Sequence, residues 1–544
     1  MKKAITMMLA AAMMLSVASC GNGGESGTGS TTGGSSAAGG ETTGEKVKFS
    51  ATFLKNDWHG DPGDMEILQE LADRANVEVE WQVYPDATWK DKKNLLITGG
   101  DLPDVMYMGT LDSNDIVKYG PQGMFMDLTE LIPQYAPRVQ QAFDEVPGYK
   151  DACVNAEDGK IYSVGRAVAR EVQNYTEMVF INKTWLETLN LEVPETTDEF
   201  YEVLTAFKTQ DPNGNGQADE IPFAFYGNLE KPRSDYTYGS FFGSFGYPDN
   251  SANSLAPHFM KNEEGEIVYV AMQPEYRDAI AFYSKFVQEG LWDKESFTYN
   301  DLSAYTAKGN NDPMILGGFI AFSENFIIAP EYVDDYVVLP PLKGPDGTQT
   351  WTYNGLSNSN ISGRLFSITA NAEGKEEAIL RWLDEHFDPE MSIQLFLGPI
   401  GTTLTKDENG FIDYAETPEG MTYSDFRYGN APVHVPSVIK TEDWDKTVRL
   451  MLEDQSKLPV VKEVYAPYAI WSNLLLKPNQ EETTYLLGKG KDINEYVNKM
   501  QVKWLTEGGI EEEWDTYLAE LEKMGIEEYM EKVKAMDYTP FGQE

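Results

Sequence analysis

The chain has 544 residues, of which 41% are apolar and 12% aromatic, enough for more than one sizeable core and too much for a disordered polymer. With 88 acidic residues against 43 lysines and arginines it carries a formal charge of -45, which argues against phosphate-backbone contacts and so against nucleic acid as a partner.

The first residues read as a targeting segment. Lys2 and Lys3 supply the charge, Ala4 to Leu15 the apolar run, and Val17-Ala18-Ser19-Cys20 the cleavage region. Small residues directly before a cysteine resemble the lipobox of bacterial lipoproteins. The resemblance implies removal of residues 1–19, a diacylglyceryl group on Cys20, and a mature chain anchored to the outer face of the bacterial cell membrane. Residues 20–45 continue as a Gly, Ser, Thr and Ala tether, with an r.m.s. reach of about 25–30 Å. No later run approaches the about 20 apolar residues that a membrane-crossing helix needs. Beyond Cys20 only Cys153 is left, so the mature chain has no intramolecular disulfide.

From Val47 strand and helix alternate. Val47 to Leu54 reads as a strand, Asp64 to Ala75 as a helix with Ile67, Leu68, Leu71 and Ala72 on one face, and Val77, Val79, Trp81 and Val83 as the next strand. Val105 to Met108 is a further strand, after Asp101-Leu102-Pro103-Asp104. Such alternation predicts an α/β fold on a mostly parallel sheet covered by helices. Met178 to Ile181 forms another strand. It leads into a helix carrying Trp185 and, past Pro194, into a helix opened by Thr196 and Glu199 at capping-box spacing.

The loop after that helix carries the sharpest chemical signal. Asp211, Asn213, Asn215 and Asp219 alternate with Pro212, Gly214, Gly216 and Ala218, which sets oxygens at the first, third, fifth and ninth positions of an EF-hand-like loop. Gly216 supplies the sharp turn and Gln217 offers its carbonyl. Pro222 stands where an EF-hand carries a bidentate glutamate, so the loop is not a standard EF-hand, and Glu220 is the substitute carboxylate. No second amphipathic helix follows at once, so the expectation is a structural Ca2+ site, against the alternative of a solvated Asx-turn loop.

Further along, Glu275 to Glu289 reads as a helix, Met314 to Phe322 as strand-like through Gly317-Gly318, and Tyr336 to Leu339 as a strand before Pro340-Pro341. Leu365 to Thr369 is strand-like and Glu376 to Phe387 an amphipathic helix. The C-terminal part is mostly helical, with Ile510, Trp514, Tyr517, Leu518 and Leu521 on one face and a short helix from Glu527 to Met536. The four histidines, His59, His258, His386 and His434, show no metal-ligand spacing, and no Walker loop, dinucleotide fingerprint or nucleophile elbow occurs.

In this order, several segments resemble the extracellular solute-binding proteins of bacterial ABC importers, specifically the large carbohydrate-binding lipoproteins. They are Leu102-Pro103-Asp104-Val105, Phe180 to Leu186, Val193-Pro194 with Thr196 to Phe200, the Asp211 to Pro222 loop, Glu289-Gly290-Leu291, Pro340 to Gly347 and Glu513-Trp514-Asp515. The resemblance covers nearly all of the mature chain. It implies a two-lobed periplasmic-binding-protein type II (Venus flytrap) fold whose hinge the chain crosses more than once. The first lobe is then 46–165 plus 358–440 and the second, with the calcium loop, 166–357 plus 441–544. It further implies capture of an oligosaccharide by lobe closure and delivery to ABC permease subunits, without catalysis. In alginate-binding relatives the corresponding loop holds calcium, which adds to the reading of Asp211, Asn213, Asn215, Gln217, Asp219 and Glu220 as ligands. The alternatives are a surface-anchored polysaccharide-degrading enzyme, or a sugar-sensing protein feeding a membrane receptor.

Sugar recognition needs flat apolar surfaces for pyranose faces and planar polar groups for hydroxyls. The aromatic candidates at strand ends and in loops are Trp58, Tyr107, Tyr175, Phe322, Trp351, Tyr353, Tyr465 and Trp471. The polar candidates are Asp57, Asp104, Asn354 and Arg364.

Overall fold

The computed structural model describes residues 45–55, 59–108, 111–169, 175, 177–229, 236–249, 255–262, 265–299, 302–324, 327–353, 361–418, 421, 423–449, 459–471, 474 and 476–538. Residues 1–44, with the targeting segment, Cys20 and almost all of the tether, lie outside the described residues.

The strands that organise the molecule are, in chain order, β1 (Val47–Lys55), β2 (Val77–Pro85), β3 (Val105–Tyr107), β4 (Val164–Ala169), β5 (Met178–Asn182), β6 (Gly318–Ala321), β7 (Tyr336–Leu339), β8 (Trp351–Tyr353), β9 (Ile361–Ile368), β10 (Ser437–Lys440) and β11 (Ala469–Trp471). One six-stranded sheet has the order β10-β4-β9-β3-β1-β2. β1 lies parallel to β2 and β3, and β10 lies parallel to β4. β9 runs antiparallel to both β3 and β4, so the sheet is mixed. In the second sheet β5 lies between β6 and β7 and is antiparallel to each. The expectation of a mostly parallel sheet thus holds for the opening βαβ unit and for β10 beside β4, and fails at β9 and in the second sheet. A strand reached through a crossover helix is constrained to run parallel, whereas β9 arrives after a long excursion and carries no such constraint.

Alternation places Phe49, Ala51 and Phe53 of β1 in one apolar cluster with Ile67, Leu68 and Leu71 of the helix Glu66–Arg74. That cluster draws on residues from 49 to 167 and from 361 to 438, and two smaller ones complete this lobe. Trp444 and Val448 belong to the smaller cluster around Ile439, so this lobe's packing continues past the expected limit at 440. A separate core draws on residues from 175 to 351 and from 461 to 536. The chain therefore passes between the two cores after Val168, after Trp351 and after Val448. On the second core, β8 and β11 pair in parallel, Trp351 with Ala469 and Tyr353 with Trp471, with Trp351 and Ala469 packed into that core.

Within the second lobe the helix Thr197–Thr209 opens with the expected capping box. Thr196 Oγ1 accepts from the Glu199 N–H at 3.1 Å while Glu199 Oε2 accepts from the Thr196 N–H at 3.2 Å. In the first lobe, β4 and β9 approach closely at a bulge. A Cβ on Gly165 would fall 1.3 Å from the Ser362 carbonyl oxygen, so only glycine permits the pairing that brings Arg166 opposite Ser362.

Candidate functional site

In open α/β sheets, ligands bind beyond the carboxyl ends of the strands. In the six-stranded sheet that end is marked by Lys55 of β1, Tyr107 of β3, Ala169 of β4 and, because β9 is reversed, Ile361. Arg364 of β9 lies toward this end. Burial holds its guanidinium below the usual arginine range, a shift partly opposed by the nearby Asp112 carboxylate. The side chain is half-buried, and no acceptor among the described residues reaches the guanidinium. Arg364 is therefore partly enclosed at the sheet end where solutes dock.

Next to it, Lys93 is buried and its ammonium bonds Asp112 at 2.8 Å and Asp115. Asp112 and Asp115 also form the capping box of the helix Ser113–Tyr119, so that helix start is locked to the helix Trp89–Gly99 that carries Lys93. On the other side, Arg166 reaches the Val433 carbonyl at 3.4 Å and His434 Nδ1 at 3.3 Å. The guanidinium of Arg427, on the helix Tyr423–Asn430, lies 5.2 Å from the Phe396 ring and 4.9 Å from the Tyr428 ring. The Gly60 N–H donates to the Tyr428 carbonyl at 3.2 Å, which joins the loop after β1 to this helix. His59 packs against Tyr428 with ring centroids 5.3 Å apart. Burial lowers the Arg166 pKa to about 10, with Tyr428 opposing and Arg427 reinforcing. Burial, then Arg166, Arg427 and His59, lower that of His434 to about 3, so this histidine is neutral at pH 7.

The proposed ligand contacts fall into distinct groups. Four are corrected to structural roles. Asp104 sits at the amino end of β3, where it accepts from the Ser50 N–H at 2.7 Å and pairs with Lys375 at 2.9 Å. Tyr107 is fully buried and its hydroxyl meets His386 Nε2 at 2.8 Å. Trp351 is buried and spends its indole N–H on the Glu177 carbonyl at 3.1 Å. Tyr465 is fully buried, accepting from the Val179 N–H at 3.0 Å and donating to the Leu339 carbonyl at 2.8 Å. A side chain whose polar atoms are already satisfied inside a core has nothing to offer a solute. Tyr175 is buried in the second core. Phe322 is half-buried directly after β6, beside Glu324, whose Oε2 is buried with no partner. Asp57, Trp58 and Asn354, and the side chains of Tyr353 and Trp471, lie outside the described residues. The sequence reading missed Arg166, Arg427 and Glu324. The first is a charge inside the apolar run of β4, a signal that was available.

The oxygen-rich loop hangs from the second sheet. The Ile221 N–H donates to the Ile315 carbonyl at 2.7 Å and the Gly317 N–H to the Ile221 carbonyl at 2.8 Å, so the loop's end extends the strand that becomes β6. Asp211 curls the loop, accepting from the N–H groups of Asn215 at 3.1 Å and Gly216 at 3.0 Å, and the amide of Asn215 donates to both oxygens of Asp219 at 3.1 Å. Gly214 and Gly216 have φ of 68° and 74°, as the tight turn needs. Glu220 Oε1 is buried with no partner, and burial, then Asp211 and Asp219, raise the pKa of its carboxyl. Among the described residues no three His, Cys, Asp or Glu side chains converge as a metal site by themselves. The donor set here is mixed, two asparagine amides and a backbone carbonyl beside three carboxylates, and such a set of oxygens is what a hard divalent cation takes. An orphaned, buried carboxylate oxygen between two other carboxylates fits a Ca2+ ion.

Residues 59–384 match the bacterial extracellular solute-binding protein family. The fructooligosaccharide ABC transporter substrate-binding protein FusA of Streptococcus pneumoniae is 31% identical over 488 residues, 86% of each chain. Solved structures of FusA with kestose, and of a FusA EF-hand mutant with fructo-nystose, superpose with a TM-score of 0.77 at 28% identity, covering 90% of this chain and 98% of that one. A human-milk-oligosaccharide-binding protein of an ABC transporter from Bifidobacterium longum infantis gives 0.75 at 25% identity, with coverage of 90% and 98%. With the two cores and the mixed sheet, these likenesses identify the chain as a member of the bacterial extracellular solute-binding protein family.

Proposed function

We propose that this protein is the substrate-binding component of an ABC importer, capturing an oligosaccharide between its lobes and presenting it to the permease subunits. The observation that carries the reading is the 31% identity to FusA along 86% of both chains, on a fold with two separate cores. Contacts from both lobes to one solute favour the closed arrangement, which a permease can recognise. The solute contacts assigned are Arg364 and, at strand ends and crossings, Asp57, Trp58, Phe322, Tyr353, Asn354 and Trp471. The lobe limits are those of the sequence reading, with the first lobe extended to about Val448.

Two further features belong to this reading. Cys20 carries a lipid that holds the protein to the outer face of the membrane, supported by the residues before it and the tether after it. Ca2+ is held by Asp211, Asn213, Asn215, Asp219, Glu220 and the Gln217 carbonyl. It would supply positive charge to three crowded carboxylates and fix the loop against the second sheet.

The test is calorimetric titration of the full chain with oligosaccharides, followed by analysis of the recovered sugar. Saturable binding with unchanged sugar is expected. Release of shortened product would replace this reading with that of a degrading enzyme.

A further inference from the structure

A short second-lobe segment bonds to three elements of the first lobe. Leu474 and Leu486 lie in the second core and Leu476 packs against it, while the Lys477 N–H donates to the Asp537 carbonyl at 2.7 Å. Asn479 opens the helix Gln480–Tyr485 with a capping box, its Oδ1 accepting from the Glu482 N–H at 3.0 Å. The segment from Leu476 to Gln480 is therefore a fixed part of the second lobe. The Gln480 side-chain amide donates to Asn114 Oδ1 at 3.1 Å, the Gln480 backbone N–H donates to Glu157 Oε2 at 3.2 Å, and the Lys477 ammonium lies 3.5 Å from Asp151 Oδ2. All three partners belong to the first lobe. Asn114 lies on the helix Ser113–Tyr119, Asp151 on the helix Tyr149–Cys153, whose Tyr149 and Cys153 are in the first core, and Glu157 in the turn that follows, its own N–H held by Asn155 Oδ1 at 3.1 Å. Asn114 stands two residues past Asp112, whose carboxylate acts on Arg364, on the helix that follows the carboxyl end of β3. Gln480 thus reaches the first lobe beside the sheet end where solutes dock, so its bonds are made when the lobes have met across that end.

From these bonds we infer that Asn114, Glu157 and Gln480 are positioning residues for solute capture, a latch that favours the closed arrangement and so sets affinity without touching the solute. The inference rests on the capture reading above and adds to it the residues that set its balance. The latch is weak by construction. Its bonds are partly or wholly exposed, where a hydrogen bond or ion pair contributes little, and Gln480 Oε1 is buried with no partner, a cost that opening to water relieves. Bonds of that size shift the balance between open and closed lobes without holding them shut, and a solute that binds the closed lobes better supplies the rest. Because the three residues bond to each other and not to the sugar, the latch scales the affinity for every sugar by the same factor.

The experiment compares the full chain with the double variant Asn114→Ala/Glu157→Ala, which removes two side chains that lie outside both cores. Without sugar, small-angle X-ray scattering should give the variant a larger radius of gyration than the wild type, because fewer molecules are closed. In calorimetric titration with kestose and with nystose, the variant should bind each about fivefold more weakly, with faster dissociation and with the ratio of the two affinities unchanged. Should the double variant fail to fold, Gln480→Ala takes its place, with the same directions expected. A radius equal to or smaller than that of the wild type overturns the inference, as does unchanged or tighter sugar binding. A changed ratio overturns it too, since it would make one of these residues a sugar contact. Should the wild type bind neither sugar, the scattering comparison decides alone, so the latch and the oligosaccharide reading are judged separately.

Discussion

Replacing Trp292 with alanine should destabilise the second lobe by about 3–5 kcal/mol, the range for removing a large aromatic from a packed core. Trp292 is fully buried and stacks on Tyr283 with centroids 5.0 Å apart and planes at 13°. Phe225, Phe241 and Phe286 surround it at 5.1, 5.5 and 5.7 Å. These rings come from a loop, a short helix and the helix Pro274–Gln288, so collapse around the cavity would have to move several elements at once. The indole N–H has no partner, so Trp292→Phe deletes an unsatisfied donor along with one ring and should cost clearly less than alanine. Denaturant unfolding measures both. A loss below about 1 kcal/mol for alanine would mean that the aromatic cluster is not the packing centre of this lobe.

Removing calcium should have the next largest effect. A site that binds only the folded chain contributes about 2.7 kcal/mol when free ion is at 100 times its dissociation constant, and the contribution grows with calcium concentration. Asp211→Ala should abolish that calcium-dependent rise in the thermal midpoint, and Glu220→Gln should reduce it. The raised pKa of Glu220 sets the direction with pH in chelator. A carboxyl whose folded pKa lies above its unfolded value favours folding at low pH, and that advantage is lost as pH rises through the folded pKa. Bound calcium reverses the preference by favouring the ionised form. An equal loss for Asp211→Ala with calcium and with chelator would show that Asp211 acts through its bonds to Asn215 and Gly216 and not through an ion.

The parts of the fold legible in sequence were those set by local periodicity. β1, the helix after it and β2 follow from alternation and a helical stripe, and Thr196 with Glu199 marks a helix start within four residues. β4 was missed because it has Arg166 at its middle. The direction of β9 was illegible because it depends on where the chain returns from the other lobe. The oxygen loop was readable because its ligand spacing is contiguous. The solute contacts were less so. A strand-end aromatic looks the same in sequence whether its hydroxyl faces a solute or, as in Tyr107 and Tyr465, a histidine or a carbonyl. Arg166 and Arg427 come together only through the fold.

Small-angle X-ray scattering of the full chain with and without a binding oligosaccharide decides whether two lobes close about an unaltered solute. Lobe closure gives a smaller radius of gyration in the bound state, reversed when the intact sugar is dialysed away. Identical scattering curves at saturation would contradict it.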